Sequence, residues 1–193
     1  MAKNLPGRRT ILLVPAVEIN GVPWIVTPTG LVDYAAPTSA ALNVYQAISL
    51  PSQANAGAGG NISCAVLDDL SLGLTASGVD NTKNVCSKGQ AGTPLEYNFE
   101  AKLNAKRDSD IAADSLWNLF RDLTRAADAA YFIVDRVRGE KDSTETFAVG
   151  DEVDLYYVNT DNPLTDFGDK KPIVQKAEFI PKGLINVKYT LAA

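Results

Sequence analysis

The chain has 193 residues, 46% apolar and 21% charged, which suffices for one substantial core and fits a folded globular domain. A net charge of −5 and a pI of about 4.8 disfavour capture of nucleic acid by a basic patch, and the absence of histidine excludes histidine triads and histidine acid–base pairs. Mean hydropathy is −0.06 and no apolar run reaches the length of a membrane span.

Residues 1–9 read as a mobile basic arm. The apolar stretch behind them is broken by Pro15 and followed by Glu18, a poor secretory signal, so synthesis in the cytoplasm is expected. Strands are predicted at 10–19 and 22–27 around Asn20-Gly21, because both residues of an Asn-Gly turn tolerate positive φ. Pro23 then belongs on an edge or near a strand start. Residues 35–60 are rich in Ala, Ser and Gly, with only Leu42, Val44, Tyr45 and Ile48 as anchors. They read as a long excursion from the core, of the kind that serves assembly. Gly57-Ala58-Gly59-Gly60 lacks a following helix and a lysine, so it reads as a flexible loop and not a phosphate cradle.

Residues 61–76 alternate, with Ile62, Cys64 and Val66 on one face and a break at Asp68-Asp69. Cys64 and Cys86 read as small buried strand residues, with a disulfide as the alternative; without histidine a zinc site is improbable. Residues 77–92 form a polar loop. The cleanest strand is 93–104, with Leu95, Tyr97, Phe99, Ala101 and Leu103 inward and Glu96, Asn98, Glu100, Lys102 and Asn104 outward. One amphipathic helix is predicted over 109–127, capped by Asp108 or Ser109. Residues 130–138 are apolar on both sides and belong at the centre of a sheet. A charged turn follows, then a strand over 147–159, a loop over 160–172, and a closing hairpin, 173–180 and 184–191 around Pro181-Lys182-Gly183. The expected fold is α+β, mainly β: a β-sandwich or barrel-like single domain over 1–193, with one flanking helix and long loops.

Carboxylate pairs such as Asp68 and Asp69, Asp151 and Asp154, and Asp161 and Asp166 lack calcium-loop spacing and read as solvated turn acids. A two-carboxylate glycosidase would need an aromatic-rich cleft, and the aromatics here fall on core-facing positions. No catalytic, cofactor-binding or metal-binding residue is expected, and no enzymatic activity.

The ordered series Cys64-Ala-Val-Leu-Asp-Asp-Leu-Ser-Leu, Tyr97-Asn-Phe-Glu-Ala-Lys-Leu, Arg107-Asp108 entering Leu116-Trp-Asn-Leu-Phe-Arg, Tyr131-Phe-Ile-Val-Asp-Arg, Phe147-Ala-Val-Gly-Asp-Glu-Val-Asp-Leu-Tyr-Tyr-Val, Phe179-Ile-Pro-Lys-Gly and Val187-Lys-Tyr-Thr-Leu-Ala-Ala resembles the major tail, or tail tube, proteins of bacteriophages with long non-contractile tails. The resemblance spans about residues 60–193 and rests on order and spacing, not on any single motif. It implies a structural virion protein, made in the host cytoplasm and resident in the tail. Its copies would form hexameric rings that stack into a tube, with tail-tip, tape measure and tail terminator proteins as partners. Double-stranded DNA would pass through transiently, without specific binding, and no membrane partner is implied. The alternatives are a tail-tip or other virion component on the same fold, or a soluble β-sandwich binding module.

Such a conduit should offer few fixed cations to phosphate. The lumen-lining candidates are therefore Glu96, Asn98 and Glu100, with Lys102 as the dissenting charge; the competing reading is an outer, solvated face of the sandwich.

Overall fold

A computed structural model describes residues 9–54, 58–75, 79–80, 93–94, 98–136, 142–166 and 173–192. In chain order the elements are β1 (Thr10–Ile19), β2 (Val22–Thr27), β3 (Gly30–Asp33), α1 (Ser39–Gln46), a single 3-10 turn (Pro51–Gln53), β4 (Gly60–Asn61), β5 (Ser71–Leu74), β6 (Val79–Asp80), β7 (Thr93–Pro94) and β8 (Phe99–Lys106). Then come α2 (Leu116–Thr124), β9 (Ala130–Arg136), β10 (Glu152–Thr160), β11 (Leu164–Asp166) and β12 (Val174–Thr190). The protein is α+β and mainly β, as the sequence predicts.

A ten-stranded antiparallel sheet runs β3-β2-β1-β9-β10-β12-β8-β5, with β4 added to β1 and β11 to β12; β6 and β7 pair separately. The β1–β2 hairpin forms as expected, with Asn20 and Gly21 at φ of 53° and 79°. Strand β9 is central, between β1 and β10, and its apolar residues face two cores. Tyr131 and Ile133 join Ile11, Leu13, Tyr156, Val158, the inner face of β8 (Phe99, Ala101, Leu103, Ala105) and Leu119, Phe120 and Leu123 of α2. Phe132 and Val134 join Leu12, Val14, Ile25, Leu155, Tyr157 and Leu42 and Tyr45 of α1.

The predicted closing hairpin is instead one strand. Its first part, Val174 to Glu178, pairs with β8, and from Phe179 onward it pairs with β10, so β12 carries the sheet over the first core. Pro181 pairs directly with Val158, and the extra residues at 182–184 are absorbed as a bulge, with Gly183 at φ 73°. A second register shift places Lys188 at φ 55°, its amide donating to Asp154 Oδ1 at 2.6 Å.

Other boundaries also move. Helix α2 begins at the Ser115 cap, because Asp108 and Asp110 accept from the amides of Asp110 and Ala112 (3.1 and 2.9 Å) and hold the preceding residues in turns. Residues 35–60 hold a second helix where a loop is expected: Thr38 Oγ1 accepts from the Ala41 amide at 3.3 Å, and Leu42 and Tyr45 reach the core. Strand β10 starts at Glu152 and not at Phe147, whose backbone is held by the Asn43 side chain at 2.7 and 2.9 Å. Cys64 is exposed in a turn and is not a buried strand residue; Cys86 lies outside the described residues. Gly59 and Gly60 are buried, and a Cβ on Gly59 would lie 1.8 Å from the Leu13 carbonyl oxygen, so this glycine permits close packing on β1. The N-terminal arm, apart from Arg9, also lies outside the described residues.

Candidate assembly and channel surfaces

The outward face of the β5–β8–β12–β11 layer is built by strict alternation. Phe99, Ala101, Leu103 and Ala105 fill the core, which turns Glu100, Lys102, Asn104 and Lys106 away from it. On β12 the same alternation buries Gln175, Ala177 and Phe179 and exposes Lys176, Glu178 and Ile180. Of the candidates predicted to line a channel, Glu100 and Lys102 sit side by side on β8, Asn98 is exposed just before it, and Glu96 lies outside the described residues.

Register brings Ser71 of β5 and Glu178 of β12 to either side of Lys102. The Lys102 ammonium lies 2.9 Å from Glu100 and 4.0 Å from Glu178, and Ser71 Oγ donates to Glu100 at 2.7 Å. Lys102 and Ser71 together hold the Glu100 carboxyl below its ordinary range, and Glu100 raises the Lys102 ammonium in return. Further along, Lys176 pairs with Asp166 at 3.1 Å. Exposed pairs of this kind add little stability. Their consequence is electrostatic: Lys102 and Lys176 each hold a carboxylate within their own subunit, so two of the face's exposed lysines are already paired. Glu178 and Lys176 escaped the sequence reading, and Asp166 reads there as a solvated turn acid, because pairing between distant strands is not visible in either strand alone.

Among the described residues the main run of the sheet ends at β3 and β5, four residues each, and both are edges, as are the short side strands β4 and β11. Short edges limit unwanted pairing yet leave unpaired backbone groups available to a neighbouring chain.

A polar anchor ties the N-terminal segment down. Arg9 Nε donates to Asp135 at 2.9 and 3.1 Å, and its Nη2 also pairs with that carboxylate. Asp135 is buried and lies directly opposite Asp154 on β10, and burial pushes its carboxyl above the ordinary value while Arg9 pulls it down. The neighbouring Arg136 is equally buried; it donates to Thr10 Oγ1 (2.8 Å) and to the Asp142 and Glu145 carbonyls (2.9 and 3.0 Å), and its guanidinium lies 4.5 Å from the centre of the Phe147 ring. Burial lowers its pKa, partly offset by Asp151. Through these contacts Arg136 organises the turn before β10.

Among the described residues no three His, Cys, Asp or Glu side chains gather as a metal site, and no helix is long and apolar enough to cross a membrane. A search of the curated proteins found no match. The family model for phage tail tube protein matches residues 20–193, nearly the whole chain. With its mainly β fold, its open sheet edges and that match, the chain belongs to the phage tail tube protein family, structural components of the virion tail that assemble with themselves into a tube.

Proposed function

We propose that copies of this chain associate into hexameric rings, that the rings stack into a hollow tube, and that the β5–β8–β12–β11 face lines the channel through which double-stranded DNA is ejected into the host. The observation that carries the assignment of the face is the pairing of Lys102 and Lys176 with carboxylates of their own subunit, which leaves Lys106 at the end of β8 as the face's cation without one among the described residues. A lysine free to pair a phosphate adds affinity and slows transit. Lys102, held 2.9 Å from Glu100 with Glu178 on its other side, is a poor trap. Asn98 and Glu100 add no cation, and the net charge of −5 per copy favours passage over retention.

The free edges β3 and β5 support head-to-tail association, since strand addition from neighbouring copies satisfies both. Residues 35–60 contribute to contacts between subunits or rings, through the exposed side of the segment; Leu42 and Tyr45 are committed to the subunit's own core. Tail-tip, tape measure and tail terminator proteins meet the tube at its ends and interior. The protein performs no catalysis and holds no cofactor or metal in this role.

Electron microscopy of the purified protein at high concentration tests the reading. Tubes with a central channel are expected. Rings that never elongate would point to a tail-tip component, and hydrolysis of cell-wall glycan would point to an enzyme.

A further inference from the structure

We propose that the outer face of the β1–β2–β3 ribbon is a docking surface for a second copy of this chain, an inference that rests on the tube reading above. The register places Val17 opposite Trp24 and Ile19 opposite Val22, and Val26 opposite Leu31. Alternation puts these six side chains on one face. Val17, Ile19, Val22 and Leu31 are 36%, 42%, 43% and 45% exposed, and Trp24 and Val26 are half-buried. The opposite face is already used: Ile25 is fully buried, and Ala16 and Val32 pack on the same core.

A solvated antiparallel ribbon ordinarily alternates apolar inside and polar outside. This one is apolar on both faces. Its uncovered face continues the line of Ile11 and Leu13, which belong to the core shared with α2, past the point where that core ends. Contiguous exposed apolar surface of this kind marks an interaction site.

Its chemistry narrows the occupant. Among the described residues Asp33, opposite Trp24, is the single charged residue aligned with the face, and no cation accompanies it there, so neither phosphate nor an anionic headgroup finds a partner on the ribbon. The family assembles with itself into a tube, and a second copy is therefore the apolar surface present at highest local concentration. The face also adjoins the open edge β3, so one neighbour can bury the apolar side chains and satisfy edge hydrogen bonds together. An isologous contact would stop at a dimer, whereas a tube needs a heterologous one, so the face must seat on a different patch of the neighbour.

The test is the quadruple variant Val17→Thr, Ile19→Thr, Val22→Thr and Leu31→Thr, chosen because threonine keeps strand preference. Circular dichroism and thermal unfolding of the single subunit should match wild type, since these side chains are exposed there. The threshold concentration for tube formation should rise by about a hundredfold or more. A second measurement uses the natural reporter on this face. In Trp117→Phe protein, Trp24 is the remaining tryptophan of the two in the chain, and its quenching by acrylamide should fall on assembly. A quadruple variant that assembles at the wild-type threshold, or Trp24 equally quenched in tubes and subunits, would overturn the proposal while leaving the tube reading intact. Wild-type protein that stays as single copies would overturn the tube reading and this inference with it. Assembly that halts at a dimer would count against the heterologous contact.

Discussion

Strand β1 runs through two environments in ten residues. From Thr10 to Val14 every residue is buried, because β9, β4 and both cores enclose it; from Pro15 to Ile19 exposure climbs as the cover on one face runs out. The odd-numbered face stays apolar throughout, from Ile11 and Leu13 to Val17 and Ile19, while the other face passes from Leu12 and Val14 to Ala16 and Glu18. The difference teaches that apolar periodicity reports a demand for cover without saying which chain supplies it. In the first half the subunit supplies it. In the second half, on the proposal made above, a neighbouring copy supplies it.

The comparison is broken most severely at the covered end. Gly59→Ala places a methyl group 1.8 Å from the Leu13 carbonyl oxygen, where backbone must move. A loss on the order of 4 kcal/mol or more is expected, or no soluble subunit at all, read by denaturant unfolding. Leu13→Ala, on the fully buried half, should cost about 2–5 kcal/mol in the same assay. Ile19→Ala, six residues along the same face and 42% exposed, should cost under about 0.5 kcal/mol in the single subunit while weakening assembly. Equal losses at Leu13 and Ile19 would erase the distinction between the halves.

Arg9→Ala sharpens the comparison at the strand's entry. The guanidinium is 37% exposed, so its ion pair is partly screened, and a loss of about 1 kcal/mol is expected at neutral pH. The sign with pH follows from Asp135, whose folded-state carboxyl burial already raises and Arg9 lowers. Without Arg9 that value rises further above the unfolded one. The penalty is full above the raised value and shrinks as pH falls through it and the buried carboxyl becomes neutral. Stability curves of the variant and wild type should therefore converge in acid; a gap that widens there would contradict the assignment.

The smallest effect on folding is expected on the charged face. Glu100→Lys with Glu178→Lys should leave subunit stability and tubes intact but slow genome ejection, most at low salt, where screening is weakest. Normal ejection kinetics from particles carrying both substitutions would remove this face from the channel wall.

Much of the covered region was legible in the sequence. The Asn20-Gly21 turn, the doubly apolar β9 and the inner face of β8 all follow from local periods and turn chemistry. What failed did so where one local signal serves two structures. Pro181-Lys182-Gly183 satisfies the chemistry of a turn and of a bulge alike, and only the pairing of Pro181 with Val158 decides for the bulge. Helix α1 carried its signal in the Thr38 cap and the Leu42–Tyr45 spacing, hidden among small residues that suit loops as well. Of the proposed channel wall, the alternation of Glu100 and Lys102 was readable. The hydrogen bond from Ser71 to Glu100 and the approach of Glu178 to Lys102 were not, since both depend on strands distant in the chain.

The most direct test of the account is a high-resolution electron microscopy reconstruction of the assembled tube. It should place Glu100, Lys102 and Glu178 on the channel wall and bury Ile19, Val22 and Leu31 between copies. A tube in which the β8–β12 face points outward and the β1–β2–β3 face stays open to solvent would contradict it.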